Sequence, residues 1–334
     1  MTQTIVILGG GVGGVVAANV LSKALSRKHR VVLFDRDTNH YFRGSYPLLL
    51  VNKRCPKQIT RRLESLNRKG IEFIQAEIEQ VNLLQRLVIT SKGSMSYDFL
   101  VIALGAEHHP ETVPGMTDGS INPWNLVGAD DLRNQLKGFR TGRIVLFISS
   151  LPITCPPAPY ETMFLVDEYF RKRRLRAQVQ LTLVTPEPYP EPLAPPKVGE
   201  SIRKMLDRRG IELITQAKVL SLDIKTGNLV LDHGITVSGD LFLGIPSHWG
   251  PSVFQGSGIT EQGGWIEVDP YTLETKAEKV FAIGDAAAIK LPKQRVWAPK
   301  AGIFAHYQAE VVARNIALII DGKKPYHRYT GKGL

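Results

Sequence analysis

Cysteine is scarce in this chain, with Cys55 and Cys155 its two examples among 334 residues. Neither belongs to a Cys-x-x-Cys pair or to a Cys/His cluster with zinc spacing, which excludes a disulfide-stapled scaffold and a structural zinc site. A thiol of consequence here does redox or nucleophilic work. Long apolar runs are missing as well. The longest candidates, around Phe99 to Ala106 and Ile144 to Ile148, are strand-sized, far short of the roughly 20 residues of a membrane-spanning helix. The chain starts without a basic segment ahead of an apolar stretch, since Met1-Thr2-Gln3-Thr4 leads straight into Ile5-Val6-Ile7-Leu8. No export signal is read there, and a cytoplasmic protein is expected.

What is present suits a turn-rich globular protein. Apolar residues make up 43%, charged residues 22%, and there are 30 glycines and 21 prolines, which sets aside disorder, collagen and coiled coil. The length suits about two domains of roughly 150 residues, each able to bury a core. The net charge is +11, with basic residues clustered at Arg61-Arg62, Arg171-Lys172-Arg173-Arg174, Arg203-Lys204 and Arg208-Arg209. These clusters fall on helical patterns without interleaved aromatics, so nucleic acid is disfavoured. Solvated helix faces are the favoured reading, and attraction to an anionic membrane surface the second.

The first segment that carries chemistry is Ile5-Val6-Ile7-Leu8 followed by Gly9-Gly10-Gly11-Val12-Gly13-Gly14 and an apolar helical stretch to Leu25. In the G-x-G-x-x-G reading, Gly9 permits the tight turn, Gly11 lets a pyrophosphate approach the backbone, and Gly14 lets helix and strand pack closely. The helix N-terminus then presents its positive dipole end to phosphate. Arg30-Val31-Val32-Leu33-Phe34 reads as the next strand, closed by Asp35. That carboxylate is placed to accept from the ribose hydroxyls of an adenosine.

NAD and FAD both suit such a unit, and the rest of the chain discriminates. Tyr97-Asp98-Phe99-Leu100-Val101-Ile102-Ala103-Leu104-Gly105-Ala106 resembles the Ala-Thr-Gly-type strand of two-dinucleotide-binding flavoproteins, with Leu104 where threonine is usual. Lys279-Val280-Phe281-Ala282-Ile283-Gly284-Asp285 is similar to their Gly-Asp motif. The resemblance implies FAD in the first site, with Ala103, Gly105, Gly284 and Asp285 joining Gly9, Gly11, Gly14 and Asp35, and with the aspartate on the ribityl chain.

A second alternation follows. Arg143 to Ile148, Leu181 to Thr185 and Ile211 to Ile214 read as strands, with helices from Tyr160 to Lys172 and from Pro196 to Arg209, the pattern of another βαβαβ half. Its first turn has no glycines. It reads Ser149-Ser150-Leu151-Pro152-Ile153-Thr154-Cys155-Pro156-Pro157-Ala158-Pro159-Tyr160-Glu161, and a pyrophosphate finds no close approach to such a backbone. NAD(P)H is therefore disfavoured as donor. The turn instead places Cys155 ahead of a helix, whose dipole favours thiolate.

The Cys-Pro-Pro-Ala-Pro-Tyr-Glu run closely resembles the redox-cysteine loop of sulfide:quinone oxidoreductases and of the flavoprotein subunit of flavocytochrome c sulfide dehydrogenase. The resemblance implies that Cys155 carries sulfur as a persulfide. Glu161 is either a proton relay or a plain first-turn helix acid. Further segments, Gly244 to Trp249, Gly263 to Pro270 and Pro299 to His306, also look like the family. In the last of them Lys300 is expected to stabilise a reduced anionic flavin, and in the stretch His40 to Leu50 Pro47 is expected at the flavin. The family uses a second sulfur partner, and none is matched here: Cys55 has no family context, Ile266 stands where flavocytochrome-type relatives have cysteine, and the chain stops at Tyr329-Thr330-Gly331-Lys332-Gly333-Leu334. Either the chain is cut short within a motif, the favoured reading, or it works with one redox thiol.

The expected fold is α/β, two Rossmann-like domains of the FAD/NAD-linked disulfide-reductase type. Residues 1–107 plus 236–334 form the FAD domain and 108–235 the domain with the redox-cysteine loop. The expected function is oxidation of sulfide, or of a small thiol or persulfide, with transfer of electrons through FAD to a quinone, peripherally on the inner face of the plasma membrane in a complete chain. Rival readings are a type II NADH:quinone dehydrogenase, a cytochrome-linked sulfide dehydrogenase and a catalytically incomplete FAD-binding scaffold.

Overall fold

The computed structural model describes residues 1–291 and 297–332, so Gly333 and Leu334 of the terminal motif lie outside the described residues. Its main elements, in chain order, are β1 (Thr4–Leu8), α1 (Val12–Ala24), β2 (Arg30–Asp35), α2 (Tyr46–Leu50), β3 (Ile71–Gln75), β4 (Phe99–Ile102), α3 (Leu126–Gly138) and β5 (Gly142–Ile148). Then come α4 (Ala158–Lys172), β6 (Val179–Val184), α5 (Pro196–Arg208), β7 (Ile211–Ile214), β8 (Leu241–Ile245), β9 (Val280–Ala282) and α6 (Gly302–Ile320). The chain divides into two compact units, one of Met1–Tyr41, Thr60–Glu107 and Trp249–Leu334, the other of Phe42–Ile59 and His108–His248.

The first unit is built on a parallel sheet in the order β9-β4-β1-β2-β3. Ile5, Val6, Ile7 and Leu8 of its central strand are fully buried, as expected of a strand covered on both faces, which needs a continuous apolar run and not an alternating one. Ala17, Ala18 and Leu21 of α1 share a core with Ala309, Val312, Ala313 and Ile316 of α6. The small residues on α1 let that helix lie close to its neighbours. The second unit repeats the plan with a parallel sheet in the order β7-β6-β5-β8, backed by Met163, Val166 and Phe170 of α4. Each unit also carries an antiparallel three-stranded ribbon, over Ile78–Ser96 in the first and Val219–Ser238 in the second.

The two-domain α/β plan is the expected one, but two boundaries move. β8 pairs in parallel with β5 from Leu241 opposite Ile144 to Ile245 opposite Ile148, so residues 236–248 join the second unit and not the first. Phe42–Ile59 also belongs to the second unit, because Leu50 and Val51 at the end of α2 pack into its core with Trp124, Leu132 and Leu136. Among the described residues, no helix is long and apolar enough to cross a membrane.

Part of the basic surface proves to be structural. Asp167 on α4 is fully buried and accepts from Arg171 at 2.8 Å, Arg209 at 2.9 Å and Arg176. Burial pushes its pKa up, but the three guanidinium hydrogen bonds outweigh that and hold the carboxyl below its usual range. Arg176 also donates to the carbonyls of Val179, Arg209 and Gly210, so one carboxylate organises the chain entries to β6 and β7. Asp167→Ala should therefore lower the unfolding free energy by about 2–3 kcal/mol, less than for a fully buried pair because Arg171 and Arg209 reach solvent; equilibrium urea unfolding of both proteins measures it.

Candidate active site

In the first unit the carboxyl ends of β1, β2, β4 and β9 make one edge, and most of the expected dinucleotide residues gather there. Gly9 has φ +103° and donates its N–H to the Phe34 carbonyl at 2.8 Å. A Cβ on Gly9 would lie 2.3 Å from the Ala103 oxygen, and one on Gly14 would lie 1.8 Å from the Gly9 oxygen. Only glycine admits these approaches. Gly11 differs, since no atom lies within 4 Å of where its Cβ would be. The turn is closed toward the sheet and open on its outer side.

Asp35, at the end of β2, accepts from the Gly10 N–H through one oxygen and from the Asp37 N–H at 2.8 Å through the other. Burial raises its pKa, and the two backbone N–H groups pull the other way. The His40 Nδ1 donates to the Gly10 carbonyl at 2.9 Å, fixing the same turn from the next segment. On the other flank, the Ala103 N–H donates to Leu8 at 2.7 Å and the Ile283 N–H to Ile102 at 2.9 Å. The Gly284-Asp285 turn is thereby set beside the end of β4. Gly105 and Gly284 both have left-handed φ, +77° and +68°. The Gly284 N–H donates at 2.7 Å to Gln308, a buried side chain on α6.

Lys300 precedes α6. Its Nζ donates to the carbonyls of Asp285 at 2.9 Å and Ala287 at 3.0 Å and lies 3.7 Å from the centre of the Trp265 ring. Burial lowers its pKa to about 8, against the opposing charges of Asp285 and Glu261. The ammonium thus ties down the Gly284–Ala286 turn, a contact that the expectation of a charge aimed at flavin did not include.

In the second unit the turn after β5 carries the thiol. Cys155 is half-buried against the core and has φ +55°, the left-handed region that a side chain seldom occupies. Its carbonyl accepts from the Ala158 N–H at 2.9 Å. The preceding residue is held twice, its carbonyl by Trp124 Nε1 at 2.8 Å and its hydroxyl by His248 Nε2 at 3.2 Å. Glu161 is exposed in the first turn of α4. Its neighbour Tyr160 is buried and donates its hydroxyl to Glu187, which also accepts from Thr185 at 3.2 Å. Burial raises the Glu187 pKa. Burial and the Glu187 charge raise that of Glu191 to about 7.

Of the expected residues, Gly9, Gly11, Gly14, Asp35, Ala103, Gly105, Gly284, Asp285 and Lys300 fall in the first unit, and Cys155 and Glu161 in the second. Pro47, expected alongside the first group, is a buried residue of α2 in the second unit. Sequence reasoning missed Trp265, Gln308, Trp124, His108, Tyr160, Glu187 and Glu191 as partners. Tyr160 and Trp265 stood in segments that resemble the family, and Glu187 was an acid just past a buried strand. A carboxyl whose folded pKa lies above its unfolded value contributes stability that is complete below the unfolded pKa and lost as pH rises through the folded one. For Glu191 that window runs from about 4.5 to 7. Glu191→Gln should therefore flatten the fall in melting temperature between pH 5 and 8 that the wild type shows, as measured by calorimetry across that range.

Residues 3–148 and 166–309 match the sequence pattern of the pyridine nucleotide-disulphide oxidoreductases. The skipped stretch holds the Cys155 turn and the first half of α4. The chain is 23% identical over 340 residues to the mitochondrial sulfide:quinone oxidoreductase of Mus musculus, covering 98% of this chain and 73% of that protein. It is 26% identical over 338 residues to the sulfide-quinone reductase of Aquifex aeolicus (strain VF5), covering 95% and 76%. The X-ray structure of the sulfide:quinone oxidoreductase from Aquifex aeolicus shares its fold, with a TM-score of 0.87 at 23% identity, over 96% of this chain and 78% of that one. Members of this family use FAD. The outward opening at Gly11, the backbone-anchored Asp35 carboxylate and the left-handed turns at Gly105 and Gly284 fit a pyrophosphate, a ribose and a ribityl chain. Matched over most of its length, the chain belongs to the pyridine nucleotide-disulphide oxidoreductase family, as a flavin-dependent oxidoreductase similar to the sulfide:quinone oxidoreductases.

Proposed function

We propose that this protein oxidises sulfide, carries the sulfur on Cys155 as a persulfide, and delivers the electrons through FAD to a quinone. The observation that carries this reading is the turn after β5. Where the first unit has an open glycine turn, the second has a half-buried cysteine in left-handed geometry among prolines, and the family pattern breaks off across that stretch. Without a glycine through which phosphate reaches the backbone, a nicotinamide dinucleotide is disfavoured as donor. A thiol stands in its place. The names of the mouse and Aquifex relatives point to the same chemistry.

Gly9, Gly11 and Gly14 would admit the pyrophosphate of FAD, Asp35 would accept from its ribose hydroxyls, and Ala103, Gly105, Gly284 and Asp285 would line its ribityl end. Lys300, with a pKa of about 8, keeps most of its charge at neutral pH and would favour negative charge on a reduced cofactor. FAD, when bound, takes up an electron pair from sulfur and gives it to the quinone. The step starts from Cys155 in a mixed disulfide with a small thiol: hydrosulfide attacks the Cys155 sulfur, the S–S bond breaks, the small thiol leaves as thiolate, and Cys155 retains the added sulfur as a persulfide. Passing that outer sulfur to the small thiol frees Cys155, and re-forming the mixed disulfide releases the two electrons that FAD would accept. Glu161, exposed at the start of α4, would exchange the proton with solvent. The basic surface would favour an anionic membrane in which the quinone is dissolved.

Two predictions follow from these roles. Anaerobic stopped-flow mixing should show flavin bleaching by sulfide and not by NADH, and Cys155→Ala should slow it roughly 10³-fold or more, as loss of a covalent nucleophile does. Bleaching by NADH would instead support a type II NADH:quinone dehydrogenase, and silence with both donors an FAD-binding scaffold. Binding and folding separate at the glycine turn. Gly11→Ala places a methyl in open space at an extended φ of −70°, so the flavin-free protein should melt as the wild type does. FAD affinity, measured by flavin fluorescence titration, should fall about tenfold or more, some 1.4 kcal/mol. Gly14→Ala, by contrast, should prevent folding of the first unit.

A further inference from the structure

A closed circuit of contacts surrounds the residue that precedes the thiol. The Trp124 indole N–H holds the Thr154 carbonyl at 2.8 Å. The Trp124 backbone N–H donates to Asn122 Oδ1 at 2.8 Å, which fixes the orientation of that amide, and Asn122 Nδ2 then donates to His108 Nδ1 at 3.0 Å. His108 stacks edge-on against His248, with ring centres 4.4 Å apart. His248 closes the circuit by accepting the Thr154 hydroxyl at Nε2, 3.2 Å away. Its tautomer is set by the other nitrogen, since Nδ1 faces the Pro246 carbonyl at 2.8 Å and must donate. His248 is almost fully buried. His108 is kept neutral, its pKa lowered to about 3 by burial and by the neighbouring His248, Arg43 and His109.

The circuit bears on Cys155 through backbone geometry. The Thr154 carbonyl belongs to the peptide plane on one side of Cys155, and the Cys155 carbonyl, held by the Ala158 N–H at 2.9 Å, belongs to the plane on the other. The first plane is fixed only as firmly as Thr154 itself, so the Trp124 contact to the Thr154 carbonyl and the His248 contact to its hydroxyl together restrict φ and ψ of Cys155. That matters here because a left-handed cysteine is strained, and the following Pro156 already disfavours the right-handed helical region.

We propose that His248 and Thr154 are positioning residues for the Cys155 thiol. His248 holds Thr154 by its hydroxyl, Trp124 holds it by its carbonyl, and the half-buried position of the sulfur against the core follows. The inference rests on the reading of Cys155 as the working thiol, but its geometry does not depend on what that thiol attacks.

The test is the pH profile of iodoacetamide alkylation in the FAD-loaded protein, followed by mass spectrometry of the Cys155 and Cys55 peptides separately. Cys55, at the start of a short helix, lies outside the circuit and serves as internal reference. In Thr154→Val and His248→Leu the alkaline plateau rate at Cys155 should rise about fivefold, the scale of one lost hydrogen bond, while Cys55 changes less than twofold. His248→Gln, whose amide can both accept from Thr154 and donate to Pro246, should restore the wild-type Cys155 profile. An unchanged Cys155 plateau in folded Thr154→Val overturns the proposal, and so does an equal rise at both cysteines, which would report general loosening. If His248→Leu does not fold, Thr154→Val decides alone. Alkylation needs no sulfide and no quinone, so a protein that fails the sulfide test while Cys155 responds as described loses the proposed function and keeps the positioning role.

Discussion

The first unit depends on one close approach. At Gly14 the opening turn of α1 presses so near the turn after β1 that a methyl group would sit 1.8 Å from the Gly9 carbonyl oxygen. With that contact made, α1 rises directly behind the sheet and buries Ala17, Ala18 and Leu21. The strand end at Phe34 is then near enough to receive the Gly9 N–H, and the Asp35 carboxylate near enough to take that of Gly10. Gly11 is left at the mouth with open space before it. The same crowding that closes the turn toward the sheet creates the opening away from it, and a bulkier residue at Gly14 would lose both.

The second unit runs the same alternation of strand and helix to a different end. Its first turn has no contact that requires glycine, and what fixes it is hydrogen bonding and not steric fit. Thr154 is held from two directions and Cys155 from a third. Glycine gives a backbone that a large anion can approach; a cysteine locked between two fixed peptide planes gives a sulfur atom at a defined place. One architecture therefore presents an open glycine turn in one unit and a fixed thiol in the other, through the choice of a few turn residues.

Much of this was legible along the chain. The strands at Arg143 to Ile148 and Ile211 to Ile214 and the helix ending at Lys172 stand where the apolar patterns put them. A strand buried on both faces must be apolar throughout, and a helix bounded by prolines and a basic last turn announces its ends. The glycine turn and Asp35 were readable for the same reason, since each role demands one residue type at one spacing. The failures share a different cause. β8 was assigned to the wrong domain because its partner β5 lies about a hundred residues earlier. Phe42–Ile59 was placed in the first domain with its sequence neighbours, although α2 buries its end in the other core.

By itself, then, the sequence determined the order of strands and helices, the closed and open sides of the glycine turn, and the substitution of a thiol turn for a second one. Those features are set by a residue and its near neighbours through sterics and backbone freedom. Only the tertiary structure decided that Lys300 is tied to the Asp285 carbonyl, that Asp167 gathers three arginines, and that His108 and His248 close a circuit around Thr154. Each of these joins groups distant in the chain, and their meeting is fixed by sheet order and core packing, which no local pattern encodes.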